Sequence, residues 1–138
     1  MHALLLLPLL LAGTASQAPA LPPGKYVYSD FCVGPRPWDL SGHRVVLSHG
    51  REGDWVRIDF PGEGEDGPLF ATAVILDAKT GKLFFSYQST EDEYAFEGVA
   101  TPNGLTGLFD DDNATHSLPR IPNSWPDDLP CKAVHPAR

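Results

Sequence analysis

Basic side chains are scarce in this chain. Lys and Arg number 10 against 18 Asp and Glu, a formal net charge of −8 over 138 residues. A nucleic-acid surface needs clustered Lys and Arg to neutralise phosphates, so that class of partner is excluded, and an anionic membrane surface with it. Cysteine is equally sparse, with only Cys32 and Cys131 and no C-x-x-C pair to suggest zinc. The N-terminal apolar run Leu4–Leu11 (LLLLPLLL) falls well short of the about 20 residues that a membrane-spanning helix needs, so no membrane span is expected. Long helices are not expected either, because 13 Gly and 14 Pro punctuate the chain too often. G-x-S-x-G, H-E-x-x-H and the phosphate-binding G-x-x-x-x-G-K-[ST] are all missing, which removes the most recognisable hydrolase and nucleotide-binding signatures.

What is present reads as an exported β protein. Residues 1–20 have the apolar core of a signal peptide, and Ala18-Pro19-Ala20 offers an A-x-A cleavage pattern. Thr14 stands where a lipoprotein would need cysteine, so the expectation is a soluble secreted or periplasmic protein. The remaining length suits one domain, expected over 21–121, followed by a Pro-rich strap over 122–138. In an oxidising compartment Cys32 and Cys131 are expected to form one disulfide, tying the first strand to that strap.

Alternation of apolar and polar side chains predicts seven or eight short strands. They fall at Lys25–Val33, His43–His49, Asp54–Phe60, Leu69–Leu76, Lys82–Gln88, Glu93–Ala100, Leu105–Phe109 and Thr115–Ile121. In the third, Val56, Ile58 and Phe60 share the face expected to be buried, opposite Trp55, Arg57 and Asp59. Asp77-Ala78-Lys79-Thr80-Gly81 predicts a hairpin, with Asp opening a type I turn and Gly81 closing it in the left-handed region. Pro119 should shorten the last strand or confine it to an edge. Short links favour antiparallel neighbours, so the predicted fold is an all-β meander curling into a barrel or half-barrel, with a two-sheet β-sandwich as the alternative.

Four histidines follow the leader: His43, His49, His116 and His135. None stands at metal-ligand spacing from another His or Cys, and His43 and His49 are expected near the exposed ends of their strand. Three acidic runs are expected as hydrated turns: Glu63-Glu65-Asp66, Glu91-Asp92-Glu93 and Asp110-Asp111-Asp112. Asp110, Asp112 and Asn113 form a weak calcium candidate, although Ala114 and Thr115 break the EF-hand pattern at its fifth and sixth positions. Asn113-Ala114-Thr115 also matches a glycosylation sequon. A second candidate site combines Trp55, Arg57, Asp59 and Trp125, where an aromatic face beside a cation and an acid suits a sugar or a peptide. Packing of Trp125 over Trp55 is the competing expectation.

No cofactor is expected, and a monomer is. The functional expectation is a non-catalytic binding module, a ligand carrier or inhibitor-like protein. Its partner would be a basic protein, or a small apolar or sugar ligand. The alternatives are a small hydrolase using loop carboxylates or His43, and an accessory protein of the envelope that binds nothing.

Overall fold

The computed structural model describes residues 21–36, 40–60, 68–90, 92–122 and 130–131. The expected leader, Trp38, the loop 61–67 and most of the C-terminal strap, including Trp125, lie outside the described residues. The chain is all-β, with strands β1 (Gly24–Ser29), β2 (Cys32–Val33), β3 (Leu40–Ser41), β4 (Arg44–Gly50), β5 (Gly53–Asp59) and β6 (Leu69–Phe70). They are followed by β7 (Ala73–Leu76), β8 (Lys82–Gln88), β9 (Glu93–Ala100), β10 (Gly104–Phe109) and β11 (Ala114–Ile121).

Nine of these strands form one antiparallel sheet in the order β6-β5-β4-β1-β11-β10-β9-β8-β7. The sheet curls as a half-barrel, and its two outermost strands are consecutive in the chain, separated only by Ala71 and Thr72. Those two residues join the edges: the Ala71 amide donates to the Val56 carbonyl on β5, and the Thr72 amide donates to the Ser86 carbonyl on β8. The expected single strand Leu69–Leu76 is therefore broken in the middle, because its two halves serve opposite edges. A single curled sheet, not a pair of stacked ones, is what is observed.

The pattern of β5 matches expectation. Val56 and Ile58 are fully buried, Phe60 packs against the core, and Trp55 remains 41% exposed. The interior is filled largely by rings and leucines, with Tyr28, Phe85, Tyr87, Phe96, Phe109, Leu47 and Leu105 all buried. Each such side chain contributes roughly 1.5–3 kcal/mol relative to exposure. Gly98 and Gly107 face each other across β9 and β10. A Cβ on Gly98 would lie 2.7 Å from the Phe96 ring, so the paired glycines leave the space that this ring fills. The Asp77 hairpin forms as expected: the Gly81 amide donates to the Asp77 carbonyl, and Gly81 has φ of 78°.

Two further expectations are corrected. Pro119 does not place β11 at an edge, since β11 lies between β1 and β10. Its pairing with β1 is limited to Val27–Ile121 and Tyr28–Arg120, and the residue before Arg120, lacking an amide hydrogen, is Pro119 itself. The first strand ends at Ser29, so Cys32 belongs to the small β2–β3 ribbon. There it is joined to Cys131 by the expected disulfide, beside a parallel bridge from Val33 to Pro130.

Candidate functional site

Up-and-down topology sends alternate connections to opposite ends of the barrel. One end carries the tight turns at 51–52, 77–81 and 101–103. The other carries the turn at 110–113, the ends of β1, β5 and β8, and the starts of β4 and β9. At this second end the chain brings together His43, Asp111, Asp112 and His116.

His43 immediately precedes β4 and is held from both sides. Its amide donates to the Asp30 carboxylate at 2.6 Å, and the Asp30 amide donates to its carbonyl. Gly42 has φ of 107°, and a Cβ there would lie 2.6 Å from the Asp30 carboxylate, so glycine permits this pairing. The imidazole stacks on Phe109, with ring centres 4.4 Å apart. Phe109 in turn packs on Phe96 at 4.7 Å, and Phe96 on Phe85 at 4.9 Å. The histidine is thus the outermost ring of a column rising from the core. It is only 9% exposed, which corrects the expectation of an exposed strand end.

His116, on β11, lies 4.4 Å from His43 between ring centres. Its Nε2 is 2.7 Å from Asp112 Oδ2. The turn between β10 and β11 fixes the carboxylates: Asp111 Oδ1 accepts the Asp112 amide, and Asp112 Oδ1 accepts the Ala114 amide. Asn113 closes the turn at φ of 53°, a conformation that Asn tolerates better than most residues. Asp111 Oδ2 lies 3.6 Å from His43 Nε2. That imidazole is the main reason the Asp111 carboxyl titrates below the usual range, against the opposing effect of partial burial.

Tyr87 belongs to the same end. Its ring lies 5.8 Å from both Phe60 and Tyr94. Burial, reinforced by the negative charges of Asp111 and Asp110, pushes its phenol well above the ordinary tyrosine value. The Tyr87 hydroxyl and His43 Nδ1 are both buried without a hydrogen-bond partner among the described residues. Buried polar atoms normally find partners, so this end holds two polar atoms still able to make a bond.

The candidate residues named from sequence are distributed as follows. Asp110 is engaged elsewhere, since its carboxylate accepts the Ala95 amide at 2.7 Å and locks the turn onto β9. Asp112 is in the cluster, and Asn113 serves the turn. Trp55, Arg57 and Asp59 share the outer face of β5, where Arg57 makes a two-pronged ion pair with Asp59 at 2.9 and 3.1 Å. Trp55 packs at 6.0 Å against Phe70, a neighbour not anticipated from sequence. His49 is apart from the cluster, paired to Asp54 at 2.6 Å.

Sequence reasoning missed the meeting of His43 with His116. These residues are 73 positions apart, His43 just before β4 and His116 on β11, the two strands that flank β1. Only the ring closure of β11 onto β1 brings them together. No protein-family model matches the chain, and no curated protein or solved structure matches it either.

Proposed function

We propose that the chain is a non-catalytic binding module that works outside the cytoplasm and uses the loop-rich, acidic end of the barrel as its contact surface. The half-barrel fold is compatible with such a module. The observation that carries the reading is the gathering of Asp92, Glu93, Asp110, Asp111 and Asp112 at the end where the connections vary, on a scaffold fixed by the Cys32–Cys131 disulfide. The disulfide also supports an oxidising compartment.

The rings of Tyr28, Phe85, Tyr87, Phe96 and Phe109 occupy the interior. This supports an inhibitor-like surface contact with a basic partner over carriage of an apolar ligand inside. The test is binding of a poly-lysine peptide as salt rises. Affinity is expected to fall steeply as ionic strength approaches about 0.15 M, where the screening length is about 8 Å. It is also expected to fall in the Asp92→Asn/Glu93→Gln double variant. Salt-independent binding would instead favour the outer aromatic face of Trp55 and Phe70.

One observation favours a second reading. His43, almost fully buried, lies beside Asp111, the pairing a small hydrolase would need for proton transfer. Turnover of nitrophenyl ester or glycoside substrates that disappears in Asp111→Asn would support it.

A further inference from the structure

We propose that His43, Asp112 and His116 form a binding site for a divalent transition-metal ion of the zinc class. Each residue offers one ligand atom, and these atoms lie within 4.8 Å of one another. A modest adjustment of side chains from three places in the fold (the residue before β4, the β10–β11 turn and β11) would bring all three around one ion.

The donor chemistry selects the metal. Two imidazole nitrogens and one carboxylate oxygen suit zinc, nickel, cobalt or iron, whereas calcium and magnesium take oxygen donors almost exclusively. The calcium set expected from sequence would need Asp110, whose carboxylate is already committed to the Ala95 amide. Three protein ligands leave a coordination position for water or for a donor from a partner.

An observation independent of the clustering points the same way. The His43 side chain is only 11% exposed, and its Nδ1 has no hydrogen-bond partner among the described residues. An imidazole held in place by Phe109 and by the Asp30 backbone contacts, yet with a ring nitrogen unused, is a preformed ligand residue. Asp111, 3.6 Å from Nε2 of the same ring, is placed to act as the outer carboxylate that orients a metal-bound histidine. The present His116–Asp112 bond of 2.7 Å would open as both groups turned to the ion.

The site stands apart from the poly-lysine reading, which is tested without metal. The experiment is a competition titration of the full exported chain with Zn2+ against a chromophoric chelator, repeated with Co2+ to read the ligand-field absorption. One equivalent of zinc is expected to bind saturably. His116→Gln and Asp112→Asn are each expected to weaken zinc binding by about tenfold or more, a loss of the size that disturbing a metal's ligand environment produces. His49→Gln, at a histidine outside the cluster, should change it less than about twofold. Both ligand variants alter partly exposed side chains, and far-ultraviolet circular dichroism will confirm that they fold. A His43 variant is avoided because the ring packs on Phe109. The proposal is overturned by absence of saturable binding below about 1 mM zinc. It is equally overturned by zinc binding that both variants leave intact, or by calcium binding as tightly as zinc.

Discussion

The two ends of the barrel solve the same problem, reversing the chain between antiparallel strands, in different ways. At one end the turns at 51–52, 77–81 and 101–103 are short and hydrogen-bonded within themselves, and Leu21 is buried there with its amide donating to the Ala78 carbonyl. The Tyr28 hydroxyl donates to the Thr101 carbonyl at 2.7 Å. At the other end the connections are varied, the carboxylates gather, and two buried polar atoms, His43 Nδ1 and the Tyr87 hydroxyl, have no partner among the described residues. A finished end contributes stability, while an unfinished end keeps bonding capacity in reserve for something that is not part of the fold.

Four experiments can break or sharpen that contrast. Replacing Cys32 and Cys131 by Ser removes the cross-link at the loop-rich end. Unfolding free energy should fall by about 2–5 kcal/mol, read from urea midpoints. Leu21→Ala at the other end should lose about 2–4 kcal/mol through a cavity, again read in urea. If the disulfide change were silent and Leu21→Ala severe, the loop-rich end would not need its pin.

Alkaline pH provides the third. Burial raises the phenols of Tyr28 and Tyr87 above the ordinary value of 10.0. The folded state then holds its phenolic protons where the unfolded chain releases them. Stability from these groups is complete below about pH 10 and is lost as pH rises toward their folded values. Absorbance at 295 nm should show these tyrosines ionising together with the loss of circular dichroism, not before it.

The smallest effect is the most diagnostic, because one substitution at two places should have opposite signs. Tyr28→Phe removes a made hydrogen bond and should destabilise by about 0.5–1.5 kcal/mol. Tyr87→Phe removes a hydroxyl that has no partner among the described residues and should be neutral or stabilising by up to about 1 kcal/mol. Destabilisation by Tyr87→Phe would mean that this end is as complete as the other.

Much of the fold was legible from alternation alone. Lys82–Gln88 and Glu93–Ala100 coincide with β8 and β9, because each puts apolar side chains at a two-residue period between clear turn signals. The Asp77–Gly81 hairpin was legible for a local reason, the need for a left-handed residue at Gly81. Leu69–Leu76 was not read as two pieces, since its break depends on which strands lie to either side of Ala71 and Thr72. The disulfide pairing was forced by there being only two cysteines. The candidate site was hardly legible. Asp112 was singled out, but as a calcium ligand beside Asp110 and Asn113, and His43 was expected at a solvent-exposed strand end. Local pattern says nothing about a contact between His43 and His116 that exists only through the closure of β11 onto β1.

That closure orders events in time. Val27 pairs with Ile121 and Tyr28 with Arg120, so the earliest strand to be synthesised has the latest as its neighbour. A chain growing from its N-terminus cannot seal the seam until about ninety residues have followed β1, and so long a loop closure is slow. Until then β1 has one side open, and the nascent protein stays unfinished and threadable. Late sealing is thus a consequence of strand order alone.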